Sequence, residues 1–452
     1  MKLRMIRIWE DIRSSYWFVP AVMGAAAIIA SFVTISLDNE YKFEVARDLG
    51  LVWGGGPEGA RGLLETVAGS MITVAGVAFS ITIVALSQAS SQLGPRLLRN
   101  FMRDTGNQIV LGTFIATFSY SLLVLRTIRG DADFEFVPNI SVTVAIVLAL
   151  FSLGVLIYFI HHAALSIQAP YVIAEVAEDL FHTIERLFPG EVGVSKMELG
   201  QEETDEDIPE NFEDESIPVN AGHSGYLQAI DTRLLIESAS KKDLILCILK
   251  RPGHFVVQGN PLVRVYPVSS LDQKLANKIQ SAFILGKQRT HTQDVEYAID
   301  QLVEVAVRAL STGINDPFTA IGCIDWLGAT LSRLAEKDFP SPHRYDDSGR
   351  LRLIVDHPFT FDGVIDAAFN QIRQYASSSA AVRIRLLEAI AMISAHATNE
   401  SDRRVLREHA LMIEQASREA LPEKEDLEDL EKRFDDVIEV QIEQASDPDH
   451  DE

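Results

Sequence analysis

The sequence is poor in cysteine, in clustered cations and in the short motifs of nucleotide- and metal-dependent enzymes. Cys247 and Cys323 are the only two thiols in 452 residues, far apart and without a Cys-x-x-Cys or Cys/His ligand pattern. Neither a disulfide framework nor a structural zinc site is indicated, and both read as small buried thiols in a reducing compartment. Lys and Arg number 40 against 64 Asp and Glu, a formal net charge of -24 concentrated beyond residue 175. Phosphate backbones are bound by clustered Lys and Arg, so no nucleic-acid surface is expected. No Gly-x-x-x-x-Gly-Lys loop, His-Glu-x-x-His helix, Gly-x-Ser-x-Gly elbow or dinucleotide fingerprint occurs. No familiar enzyme class is therefore supported, no catalytic residue is named, and no cofactor or metal is expected.

Charge is also missing from four long apolar segments, approximately Trp17 to Leu37, Leu63 to Leu86, Ile109 to Ile128 and Ile140 to Ile160, where Glu65 and Arg126 lie near the ends. A helix of about 20 apolar residues crosses a hydrocarbon core of roughly 30 Å, and a charge at its centre costs several kcal/mol. The sequence thus predicts four spans in contact with a lipid bilayer. Basic residues precede the first span (Lys2, Arg4, Arg7, Arg13) and occupy the loop between the second and third (Arg96, Arg99, Arg103). By the bias of Lys and Arg toward the cytoplasm, both termini are expected inside.

At helical spacing the second span carries Gly69, Thr73, Gly76, Ser80, Ser87 and Ser91 as one stripe of small and hydroxyl residues. Small residues let helices approach closely, which gives a helix-packing reading. Repeated by symmetry in a homo-oligomer, the same stripe lines a polar path. His161 and His162 close the fourth span and would bind metal only with Glu175, Glu178, Asp179 or His182; interfacial histidines are the commoner case.

Beyond the spans, Tyr171 to Leu187 reads as an amphipathic helix, and Gln201 to Ser216 carries nine carboxylates and no Lys or Arg, the composition of a linker. Short β-type runs separated by Gly and Pro follow between Gly222 and Pro267. The RPGHFVVQGNPLVRV stretch resembles the turn–strand pattern of biotinyl and lipoyl barrels, with Gly253 and Gly259 as turns, but it has no modifiable lysine hairpin. Thr292 to Leu334 reads as a helical hairpin in which Asp316 and Pro317 start the second helix. Asp294, Arg308, Asn315 and Asp316 are its candidate contacts to a small-molecule or ion ligand, or to a partner.

The expected architecture is mainly α: a four-helix transmembrane region followed by a cytoplasmic α+β region made of a small β module and a helical bundle. Its divisions are a basic cytoplasmic N-terminus (1–16), the four-span domain (17–165), an amphipathic helix and acidic linker (166–220), a barrel-sandwich-like β module (221–268), a helical domain (269–440) and an acidic tail (441–452).

Three stretches, SSYWFVPAVM, ETVAGSMITVAGVAFSITIVALSQASSQLGPRLLRNF and RALSTGINDPFTA, together resemble the bacterial integral membrane proteins filed as domain of unknown function 2254. The family carries proline where this chain has Thr312, a departure that touches the turn. The resemblance implies a multi-pass bacterial inner-membrane protein and supplies no activity. Two functional classes are carried forward: an oligomeric channel or passive transport protein with a cytoplasmic regulatory domain, and a membrane-anchored sensor or scaffold.

Overall fold

The molecule is described from a computed structural model, over residues 15–40, 53–97, 104–131, 134–188, 208–377 and 379–446. The expected basic N-terminal residues, Arg99 and Arg103, the first part of the acidic linker and the last part of the acidic tail lie outside the described residues. The chain forms two units, residues 1–171 and 172–452.

In the first unit the four uncharged segments form helices α1 (Phe18–Glu40), α2 (Pro57–Leu93), α3 (Thr105–Leu125) and α4 (Asn139–Ser166). Each is long and apolar enough to cross a membrane. A short antiparallel hairpin of β1 (Arg129–Asp131) and β2 (Phe134–Phe136) joins α3 to α4. The helix through the second span is longer than its apolar run: Pro57 occupies its first turn, and Gly94, with φ 119°, ends it. At 1.5 Å per residue its 37 residues extend about 55 Å, roughly 25 Å more than a hydrocarbon core.

Helix α3 packs against the other three and is half buried over its apolar window. Its inward face carries Asn107, Gln108, Thr113, Thr117 and Ser121 as well as Phe114 and Tyr120. Buried hydroxyls need partners. Thr117 Oγ1 lies 3.0 Å from Ser152 Oγ, and Tyr120 Oη bonds Thr34 Oγ1 at 2.8 Å and the Ser141 carbonyl at 3.2 Å. One turn beyond Thr34 on α1, Asp38 accepts from the backbone N–H groups of Ile140 (2.8 Å) and Ser141 (2.9 Å) and from the Ser141 hydroxyl (2.7 Å). It caps α4 from a different helix.

The second unit begins within α5 (Ala169–Leu187), whose inward face is Val172, Ile173, Val176, Ala177, Leu180 and Ile184. There follow α6 (Phe212–Glu215), β3 (Ile217–Asn220), β4 (Gly225–Ile230), α7 (Thr232–Lys242), β5 (Ile245–Ile248), β6 (Phe255–Val256), β7 (Pro261–Tyr266), α8 (Gln273–Gln280) and β8 (Phe283–Gly286). Then come α9 (Val295–Ala309), α10 (Pro317–Ala335), β9 (His343–Tyr345), β10 (Leu351–Val355), α11 (Phe361–Tyr375), α12 (Ala380–Ser394), α13 (Glu400–Ala420) and α14 (Lys424–Ser446). Strands order as β3-β7-β5-β10-β9 in one sheet and β6-β4-β8 in another; only β10 and β5 pair in parallel among the strands described. Leu227, Leu235, Leu246, Val263, Val265 and Ile279 centre the core under these sheets.

Gly253 and Gly259, with φ 96° and 86°, flank β6 as turn residues. The β structure nevertheless extends past residue 268, because β8, β9 and β10 complete the sheets. Helices α7 and α8 alternate with the strands. The segment Leu351 to Val355, apolar except for Arg352, is too short for its period to separate a buried strand from a helix segment, and of its two partners β9 lies just before it while β5 lies about a hundred residues earlier.

Candidate functional site

Two faces of α2 divide the small residues of the second span between them. Ala60, Ala68, Ala75, Ala78, Ala85 and Ala89 are buried within the unit, where a methyl side chain permits close approach of α3 and α4. Gly69, Thr73, Gly76, Ser80, Ser87 and Ser91 are all exposed on their own chain. A Cβ added at Gly69 or Gly76 would meet nothing within 4 Å. Thr73 donates to the Gly69 carbonyl (2.8 Å), Ser80 to that of Gly76 (2.9 Å) and Ser91 to that of Gln88 (2.8 Å). Such back-bonding satisfies each hydroxyl proton and leaves the oxygen able to accept. Thr66 and Ser70 repeat the pattern one turn earlier, at 2.7 and 2.6 Å, so the hydroxyl face is longer than the spacing indicated.

Where α3 begins, Asp104 accepts from Gly106 N (2.8 Å) and Asn107 Nδ2 (2.8 Å). His162 Nε2 lies 2.6 Å from the same carboxylate, and the Tyr158 ring stacks on the imidazole at 5.3 Å. His162 is thus oriented by Asp104, and the described residues contain no group of three His, Cys, Asp or Glu placed to hold a metal. Beside this cluster is a nearly apolar cavity of about 210 Å³ bordered by Tyr16, Phe79, Thr82, Asn107, Ala163 and Ser166.

In the second unit the hairpin candidates separate into two places. Asp294 caps α9, accepting from Tyr297 N at 3.1 Å, and is 1% exposed. Arg289 grips it with Nε and Nη2 at 2.7 and 2.9 Å and reaches Asp300 with Nη1 at 2.5 Å. Burial opposes the charge on Arg289, but these carboxylates hold its pKa above the ordinary arginine value. Arg308 lies in the last turn of α9, about 21 Å along the helix from Asp294 at 1.5 Å per residue. Asn315, with φ 52°, and Asp316, which caps α10 through Thr319 N at 3.2 Å, follow it in the turn. The hairpin therefore brings Arg308, Asn315 and Asp316 to one end and leaves Asp294 at the other.

Residue spacing gave no sign of Arg289, Asp104 or Asp38 as partners. For Asp104 and Asp294 the available signal was an Asp immediately before a helix start, which marks a cap without naming what else it holds; Asp38, capping α4 from within α1, had none. Near Asp294, burial together with Arg251 and Lys250 pushes the His254 pKa down to about 4. Cys323 is fully buried, whereas Cys247 is only partly so; burial raises the pKa of both thiols, that of Cys247 to about 11.

The family described as predicted membrane protein (DUF2254) matches residues 13–392. Uncharacterized proteins of Mycobacterium tuberculosis and Mycobacterium bovis are each 32% identical to the chain over 428 residues, covering 92% of it and 79% of the relative. No solved structure matches. The chain belongs to this family of membrane proteins, and it has four candidate spans.

Proposed function

We propose, with that membership as premise, that the chain is a homo-oligomeric channel or passive transport protein of the bacterial inner membrane. The α2 stripe of each copy faces a shared axial path, and the second unit, with both termini, lies on the cytoplasmic side, where it regulates passage. The observation that carries this reading is the exposure of Gly69, Thr73, Gly76, Ser80, Ser87 and Ser91 while alanines fill the contacts within the chain. A face of glycine and hydroxyls gains little from lipid tails, but it lets copies approach and offers oxygens to a hydrated ion or small polar solute. Arg96, in the α2–α3 connection, supports the cytoplasmic placement.

The test is flux from liposomes that hold the purified protein and a potassium or small-solute load. Wild-type protein should release the load, and Ser80→Leu or Ser87→Leu should slow release by about tenfold or more. Vesicles as tight as protein-free ones, or release indifferent to both substitutions, would overturn the reading.

A second reading, a membrane-anchored sensor, is supported by the separate core of the second unit around Leu227, Leu246 and Val263. It predicts ligand-dependent stabilisation without any flux.

A further inference from the structure

A buried guanidinium gives up hydration and normally recovers it from a carboxylate. Arg383, at the fourth position of α12, is 3% exposed. Its Nε donates to the Ala376 carbonyl at 3.1 Å, which lies before α12 and so turns the guanidinium back toward the start of that helix. Its Nη1 is buried and has no hydrogen-bond partner. The charge beside it is another cation: burial first, and then Arg373, push the Arg383 pKa below the ordinary arginine value. Arg373, near the end of α11, donates Nη2 to Asn370 Oδ1 at 3.2 Å, and its Nε is also buried without a partner.

This arrangement runs against the composition of the chain. With 64 carboxylates against 40 basic groups, cations readily find partners. Arg352, 5% exposed, bonds both Asp346 at 2.7 Å and Asp243 at 2.8 Å. Yet among the described residues no carboxylate comes within 4.0 Å of Arg373 or Arg383. The nearby Asp366 instead faces His409 on α13, 3.2 Å from its Nε2. The start of α12 adds donors of its own: Ser379 occupies the cap position without a side-chain cap bond, so the first-turn N–H groups keep the partial positive charge of a helix N-terminus.

We propose that Arg373 and Arg383, at the N-terminus of α12, form a binding site for a phosphate-type oxyanion. Guanidinium forks match the oxygens of phosphate, and a helix N-terminus completes such a site without a further charge. The group is carried either by a soluble phosphorylated solute or by a phospholipid headgroup, which present the same oxygens. The site is independent of the α2 stripe, and its existence does not depend on passage through the membrane.

The experiment uses the full chain at fixed ionic strength and follows thermal unfolding as inorganic phosphate replaces chloride. A ligand that binds the folded state alone raises Tm saturably. Wild-type protein should show this rise, and Arg383→Gln should raise the half-saturating phosphate by about tenfold or more, as expected for a lost charged hydrogen bond. Arg373→Gln, on the more accessible side chain, should do the same and keeps the test open if the Arg383 variant does not fold. A second arm compares phosphatidylcholine nanodiscs with and without phosphatidic acid, in chloride. Stabilisation by phosphatidic acid alone, lost in both variants, assigns the site to a headgroup; stabilisation by inorganic phosphate assigns it to a soluble ligand. No stabilisation in either arm, or stabilisation indifferent to both substitutions, overturns the proposal.

Discussion

Replacing Asp294 by alanine removes three hydrogen bonds at once, two from Arg289 at 2.7 and 2.9 Å and one from the Tyr297 N–H at 3.1 Å. The cap alone is worth about 1 kcal/mol. Breaking a buried ion pair costs about 3–5 kcal/mol when the surviving charge is stranded. Arg289 is not fully stranded, because its side chain is 21% exposed and it keeps Asp300. A total near 3 kcal/mol follows, which is about a hundredfold in a local opening equilibrium. Asp294→Asn retains the capping oxygen and should cost about 1 kcal/mol less. Hydrogen–deuterium exchange of the α9 amides in the full chain reads this directly. If exchange in Asp294→Ala stays within about threefold of wild type, the carboxylate does not hold the start of α9 and the reasoning fails.

Three further outcomes follow from the same geometry. Gly253→Ala places a Cβ 2.5 Å from Asp294 Oδ2 at a φ of 96°; it should destabilise by about 2–4 kcal/mol, and less when Asp294→Ala has already removed the oxygen, as a double-mutant cycle of unfolding free energies would show. His254 is held to about 4 in the folded chain, against about 6.5 unfolded, so its contribution is whole above pH 6.5 and is lost as pH falls toward 4, because the unfolded chain takes up the proton first. His254→Gln should therefore flatten the unfolding profile over that window by at most about 3 kcal/mol relative to wild type. Asp38→Ala strips the N-terminus of α4 of three acceptor contacts and should cost about 2–4 kcal/mol, read as a lower Tm in lipid nanodiscs; an unchanged Tm would remove Asp38 from the account.

The four spans were legible because hydropathy over twenty residues depends on nothing outside the segment. Their ends were less so: α2 reaches from Pro57 to Leu93, and the added turns are polar enough to read as loop. The hydroxyl stripe could be counted from spacing, yet its exposure could not, since the alanine face sits on the same helix with residues of similar size. In the second unit the α9–α10 hairpin was marked by Asp316 and Pro317, while β10 was hidden because its five residues are too few to show a strand period and one of its two partners, β5, is remote in sequence. Arg289 meets Asp294 and Asp300 only after the chain turns into α9, and the charge of Arg373 acts on Arg383 only after the chain passes from α11 into α12. Neither pair has a sequence pattern of its own, because side-chain direction at a turn is set by tertiary packing.

Disulfide formation in native membranes at the α2 stripe tests the central claim most directly. In a chain with Cys247 and Cys323 replaced by alanine, a single cysteine at position 80 should give cross-linked copies under mild oxidation, since a disulfide requires Cα atoms within about 7 Å. Ala78→Cys, buried inside its own chain at 3% exposure, should give none. Cross-linking absent at Ser80, or as strong at the outward-facing Leu150 on α4, would contradict the arrangement of copies around α2.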